Sequence, residues 1–316
     1  MSLAPEKDTP QPVTYKTVGR IVHIYPSSES IAQFLDKVKH ISIDDLRKIP
    51  FKRTICSREL LTVLGADLGE SVVSTIKDYQ SGCVVVHFGV HDDQDDYVKI
   101  STAVSHLLSR PIPEPSGEYY GVTTVVHTDD PAIKILDPYR VFTMHTDGVF
   151  ADNPVDWQMM MKVKEENASG GESRLLHIGD FAEFDDLRKL PASNSLFCFG
   201  LEEKDSRYEV LSKGSSMEKL YAPILAEKDG RRSIKFIDQF IIVESIDQAT
   251  FVEAVQDALE HSDGIVQEPL PVGSMMIIDN TVWLHGRGAF ERNEGLRRSL
   301  LRQYGYFPER HPAMKR

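Results

Sequence analysis

Cysteine is scarce: the 316-residue chain has three, Cys56, Cys83 and Cys198, far apart and odd in number. That pattern argues against a disulfide framework or a cysteine-rich zinc site and leaves the thiols as core or incidental residues. Long apolar runs are missing too, since none approaches the roughly 18 residues that a membrane-spanning helix needs. The opening MSLAPEKDTPQP lacks the charged-then-apolar order of a secretion signal, so the expectation is a cytoplasmic protein with no membrane partner. Positive charge is in short supply: 36 Lys and Arg stand against 48 Asp and Glu, a formal net charge of -12. Nucleic acid calls for a basic face that replaces phosphate counterions, so a small diffusible substrate is the better expectation.

What is present is ample apolar material, 41% of the chain, enough for a substantial core. Residues 1–17 begin with a proline-rich dozen and read as a flexible N-terminal arm, with order starting near Val18. From there to about residue 110 the pattern is mainly helical. SSESIAQFLDKVKHI opens on serine caps, DDYVKISTAVSHLLSR begins acidic and ends basic, and CVVVHFGV between them is a short strand. Beyond Pro111 the character changes to β-rich runs, among them EYYGVTTVVH, WQMMMKVKE, SRLLHIG, SLFCFGL, GSMMIIDN and RRSLLRQYGYF. Asp229-Gly230 marks a hairpin, because a type I′ turn needs positive φ at both positions. One clear helix, ATFVEAVQDALEHS, interrupts. With no internal repeat or interior linker, residues 18–316 read as a single domain, mainly β with flanking helices (α+β).

The pattern His-x-Asp occurs four times, at His91, His127, His145 and His261, where roughly one is expected by chance, so context must choose. His261 closes a helix before Gly264 and reads as structural. His91 leads an acidic run into a helix and His127 sits in a turn, and both read as solvated. His145 ends a β-rich stretch, RVFTMHTDGVF, in which an extended chain points His145 and Asp147 to one side. The usual fate of a single histidine is a satisfied hydrogen bond, and two ligands hold a metal poorly. A third is available in His285 of MMIIDNTVWLHGRGAF. Two imidazoles and one carboxylate leave three positions of an octahedral iron open, as in the facial triad of non-heme oxygenases.

In LRRSLLRQYGYF, directly after His285, strand alternation puts Arg298, Leu300, Arg302 and Tyr304 on one face. Guanidiniums in an apolar segment want anions, and their planar fork matches carboxylates, so 2-oxoglutarate and a carboxylate-bearing substrate are natural ligands. The bland alternative pairs these arginines with the abundant acidic side chains. A zinc-dependent hydrolase on the same three ligands and a non-catalytic cupin-like metal-binding protein are the competing functions.

His-x-Asp, GGES, HGR and RRSLLR in this order resemble the iron(II)/2-oxoglutarate dioxygenases of the taurine dioxygenase and clavaminate synthase group. More closely, SGEYYG, MHTDG, MMMKVKEENASGGESRLLH, FIDQF, WLHGRGAF and LRRSLLRQYGYF resemble the glutarate 2-hydroxylase family of carbon-starvation-induced proteins, clearly from about residue 100 to 308 and weakly before. The resemblance implies a distorted double-stranded β-helix (jelly roll, cupin-like) and iron(II) on His145, Asp147 and His285. It also implies the distal carboxylate of 2-oxoglutarate on Arg298 and Ser173, the substrate carboxylate on Arg302, O2 as second cosubstrate, and a homotetramer. Succinate, carbon dioxide and a hydroxylated product would follow, and Asp147 keeps the third ligand, so hydroxylation rather than halogenation is implied. Two departures bear on the substrate: Glu118 stands where the family resemblance leads one to expect glutamine, and Tyr304 where it leads one to expect arginine. One cation fewer and one carboxylate more suit a dianion poorly and suit a free amino acid such as lysine, provided Glu118 lines the pocket.

Overall fold

Serine and aspartate open several of the helices by accepting the amide protons that the first turn leaves unpaired. Ser27 Oγ accepts from Ser30 N, an Asp93 carboxylate oxygen from Asp95 N, and Ser245 Oγ from Gln248 N. The computed structural model describes residues 11–114, 117–129, 137–149, 154–200 and 219–310. Its N-terminal part runs β1 (Val13–Val18), β2 (Ile21–Pro26), α1 (Ser28–Val38), α2 (Ile43–Lys48), α3 (Pro50–Leu64), α4 (Ala66–Lys77), β3 (Cys83–His87) and α5 (Gln94–Leu108). Strands dominate afterwards: β4 (Gly121–Val126), β5 (Phe142–His145), β6 (Trp157–Glu166), β7 (Ser173–His177), then a short α6 (Phe184–Leu187). Next come β8 (Phe197–Phe199), β9 (Leu220–Ala222), β10 (Leu225–Lys228), β11 (Arg231–Ile234) and β12 (Ile241–Ile242). The chain closes through α7 (Ile246–His261), β13 (Ile265–Glu268), β14 (Ser274–Asp279), β15 (Trp283–Arg287) and β16 (Arg297–Gly305). The result is a mixed α+β arrangement.

A seven-stranded sheet takes the order β1-β2-β3-β14-β6-β16-β4, and a four-stranded sheet the order β13-β7-β15-β5. A three-stranded sheet, β12-β8-β9, and the β10-β11 hairpin complete the set. The hairpin turns through Asp229 and Gly230, both at positive φ, as the sequence predicts.

The large sheet is apolar on both faces, which explains why β14 reads as an unbroken apolar run rather than an alternating one. Met275 and Ile277 pack with Val84, Val86, Met159, Met161 and the buried sides of α1 to α5. The intervening Met276 and Ile278 pack on the opposite side with Leu175, Leu176, Trp283, Leu284 and with Phe251, Val255 and Leu259 of α7. The large sheet thus lies between the N-terminal helices and the four-stranded sheet. Cys56, Cys83 and Cys198 are all free and buried, and no described helix is long and apolar enough to cross a membrane.

One boundary is corrected. Residues 13–17, assigned to a flexible arm on composition, belong to β1, which pairs along its length with β2 through a turn at Gly19. Only Val13 of that strand is buried, so VTYKTV carries little apolar signal, and backbone pairing at the sheet edge orders it instead. Residues 1–10 of the expected arm lie outside the described residues. Ile277 is fully buried at the centre of the sheet. Its truncation, Ile277→Ala, is expected to lower unfolding free energy by about 2–5 kcal/mol in urea denaturation; a loss below about 1 kcal/mol would be inconsistent with helices closed over this face.

Candidate metal centre and adjoining pocket

Strand register brings the histidines together. β15 pairs antiparallel with β5 so that His285 stands opposite His145, and their ring centroids lie 4.2 Å apart. Asp147, two residues beyond His145, follows the end of β5, and its two carboxylate oxygens lie 3.8 Å from Nε2 of His145 and 3.8 Å from Nε2 of His285. One ligand atom from each of the three residues lies within 4.8 Å of the others. Both histidines are buried.

The protonation states suit a cation. His145 Nδ1 lies 2.8 Å from the Thr143 carbonyl oxygen, which can only accept, so Nδ1 is committed to that bond and Nε2 is the atom turned toward Asp147. Burial, reinforced by His145, pushes His285 down to about 3. Burial alone would raise the Asp147 carboxyl, but His285, His145 and Arg302, with a hydrogen bond from Gln158, outweigh it and hold the carboxyl below its ordinary range. Two imidazoles and one carboxylate are the donor set a first-row divalent metal takes, so the residues present fit the expected iron.

Neighbours that sequence reasoning missed fix this geometry. The side chain of Asn280 accepts from Asp147 N at 2.9 Å and donates to the carbonyls of Asp147 and Val155, both at 3.0 Å. Glu260 of α7 accepts from Met144 N at 2.7 Å and from Arg174 at 2.6 Å, tying β5 to the helix beside it. The only hint of Asn280 in the sequence was a polar pair, Asp279-Asn280, ending an apolar strand.

A cavity of about 220 Å³ opens from the three residues and runs between the two larger sheets. Ser173, Arg298 and Arg302 line it together with His145, Asp147 and His285, so the structure brings six of the eight sequence-predicted residues to one pocket. Arg298 is buried, donates from Nη1 to the Gly171 carbonyl at 2.5 Å, and is lowered to about 10, chiefly by burial and then by the charge of Arg287. Arg287 also lines the pocket and was not singled out from sequence, although it stands in HGR.

Glu118 is elsewhere, which corrects the expectation that it lines the pocket. It is half-exposed and pairs with Arg47 at 3.1 Å in the segment before β4. The carboxylate that meets Arg302 belongs to Glu114, buried, with bonds of 3.0 Å to Nε and 2.9 Å to Nη2. Strand parity cannot foresee this, because Glu114 reaches Arg302 from a coil. Tyr304 is drawn toward the same carboxylate, and burial followed by Glu114 pushes its phenol up to about 12. The remaining His-x-Asp histidines behave as structural or surface groups. His127 contacts Tyr139, His261 bonds Asp257 on its own helix, and the backbone of His91 donates to Tyr97.

The CsiD family model matches residues 13–307. Among curated proteins, a glutarate 2-hydroxylase of Citrobacter koseri is 30% identical over 293 residues, covering 91% of this chain and 87% of the relative. One from Klebsiella pneumoniae is 30% identical over 311 residues, covering 97% and 90%. The fold is similar to an asparagine oxygenase solved with Fe(II), hydroxyasparagine and succinate, with a TM-score of 0.67, 14% identity, and 90% and 93% of the two chains covered. It is also similar to the non-heme iron oxygenase OrfP solved with Fe and alpha-ketoglutaric acid, with a TM-score of 0.63, 15% identity, and 90% and 94% covered.

Because Asn280 acts on Asp147 through its backbone, Asn280→Ala is expected to weaken Fe(II) binding by about 10- to 100-fold, measured by anaerobic calorimetric titration. An affinity equal to wild type would remove Asn280 from the metal site.

Proposed function

The chain belongs to the CsiD family, and from that premise we propose that it is an iron(II)/2-oxoglutarate-dependent hydroxylase of a small carboxylate. The reaction is most like glutarate to 2-hydroxyglutarate, with release of succinate and carbon dioxide, as the names of the curated relatives suggest. The observation that carries the reading is the convergence of two imidazoles, one carboxylate and several guanidiniums on a single cavity.

In this reading His145, Asp147 and His285 hold iron(II), and Gln158 and Asn280 steady Asp147. When bound, the metal with 2-oxoglutarate and O2 supplies oxidative decarboxylation coupled to hydroxylation of an unactivated C–H bond. Arg298 and Ser173 take the distal carboxylate of 2-oxoglutarate and Arg302 takes the substrate carboxylate. Val125, Phe142, Met160 and Leu300 supply apolar wall that limits water around the reacting carbon. The two facing sheets and the oxygenase neighbours support a double-stranded β-helix core. The seven-stranded sheet, which takes strands from both the helical and the β-rich parts, supports a single domain. The family resemblance also points to a cytoplasmic homotetramer.

A second reading, hydroxylation of a free amino acid such as lysine, is favoured by one observation: Glu114, from outside the cavity lining, already balances Arg302, which leaves less net positive charge for a second substrate carboxylate. Glu118, on the surface with Arg47, has no part in that choice.

Purified protein with ferrous iron is expected to convert 2-oxoglutarate to succinate faster with glutarate than with lysine, ornithine or glutamate. Faster turnover of an amino acid reverses the choice of substrate, and no succinate with any of them returns the site to zinc hydrolysis or mere binding. Hydrogen bonds to charged groups contribute roughly 1.5 to 3 kcal/mol, so Arg298→Gln is expected to raise the 2-oxoglutarate requirement about tenfold or more. An unchanged requirement would make Arg298 structural.

A further inference from the structure

Two guanidiniums, Arg287 and Arg298, line the pocket together, and the carboxylates whose charge reaches Arg298, those of Glu165 and Glu172, lie outside its lining. Asp147 is the only carboxylate lining the cavity among the described residues, and it belongs to the metal end. Arg287 and Arg298 are 5% and 6% exposed. Each commits only part of its fork to the protein. Arg287 Nη2 donates to the carbonyls of Asp137 at 2.5 Å and Arg140 at 3.3 Å, Arg298 Nη1 donates to Gly171, and Nε of each is buried with no partner. Their guanidinium carbons lie 5.4 and 5.0 Å from the centroid of the same ring, Phe290. Arg287 is also the cross-strand partner of Ser173, with both residues lining the cavity. Two like charges buried this close, with donors unspent, are costly unless an anion joins them.

We propose that Arg287 is a second binding residue for 2-oxoglutarate, sharing the distal carboxylate with Arg298 and Ser173 in a two-arginine clamp. A carboxylate offers about four lone-pair sites, enough to accept from both forks and the hydroxyl. The inference rests on the reading that Arg298 and Ser173 hold that carboxylate. The rival role for Arg287 is purely structural: it ties residues 137 and 140, ahead of β5, to β15.

The two roles separate when the ligand is changed along with the residue. Iron(II)-loaded protein is titrated anaerobically by calorimetry with 2-oxoglutarate and with 2-oxopentanoate, the same chain without the distal carboxylate. Arg287→Gln is expected to weaken 2-oxoglutarate about tenfold or more and 2-oxopentanoate by less than about twofold, because a bond to a charged group is worth about one decade in affinity. Arg287→Lys, which keeps the charge but not the fork, should recover part of the loss. Equal losses for both ligands, or unchanged 2-oxoglutarate affinity while Arg298→Gln loses it, would overturn the clamp and leave Arg287 structural. If Arg298→Gln itself shows no loss selective for 2-oxoglutarate, the placement of the distal carboxylate fails first, and the clamp with it. Should Arg287→Gln not fold, Arg287→Lys carries the comparison: a selective loss of about threefold supports the clamp, and an equal or absent loss overturns it.

Discussion

The antiparallel register of β15 on β5 is the constraint on which the rest of the site depends. It sets His285 opposite His145, so that two residues 140 positions apart in sequence present their rings side by side. A slip of one residue would turn one ring to the other face of the sheet and leave a buried imidazole without its neighbour. The register is held from outside the pair. β7 zips along the other edge of β15 from His177↔Trp283 to Ser173↔Arg287, and Glu260 of α7 anchors the β5 backbone at Met144. The irregularity between His285 and Arg287 falls within this clamped stretch, where the strand also delivers Arg287 to the pocket.

Charge in the cavity is sorted by position. At the metal end stand two imidazoles and Asp147, whose carboxyl is held below its ordinary range. At the far end Arg298 and Arg287 are both lowered to about 10 by burial and keep unspent donors. Arg302 is different: burial works against its charge, but Glu114 more than compensates and its pKa is raised. In a medium of low dielectric, each arrangement defines which ligand charge is welcome. The far end favours an anion strongly, while the Arg302 and Glu114 pair is already close to neutral. The cavity therefore offers two different electrostatic environments, although Arg298 and Arg302 lie on the same strand face.

The apolar framework explains why such charges can be held in place. The large sheet is packed on both sides, by α1 to α5 on one and by the four-stranded sheet and α7 on the other. Gln158 of β6 and Arg298 and Arg302 of β16 are the polar side chains that these two strands present to the cavity. A close-packed surround fixes side-chain rotamers, and fixed rotamers keep buried donors and acceptors aimed at one ligand position.

Local pattern by itself determined the long helices, the central strands, the Asp229-Gly230 hairpin and the short-range pairing of His145 with Asp147, because each depends on periodicity 3.6 or 2 or on turn chemistry within a few residues. The shared face of Arg298 and Arg302 was legible for the same reason. Motif order pointed to His285 and Ser173, though no pattern could measure their distance from His145. Tertiary structure decided the rest. It ordered residues 13–17 through edge pairing that apolar periodicity does not register, and it moved Glu118 to the surface with Arg47. It also brought Glu114 onto Arg302, Asn280 onto the backbone of Asp147, and Arg287 to the pocket wall. Each of these is a contact between residues distant in sequence, set by which strands and loops meet in space, and side-chain type alone does not encode that meeting.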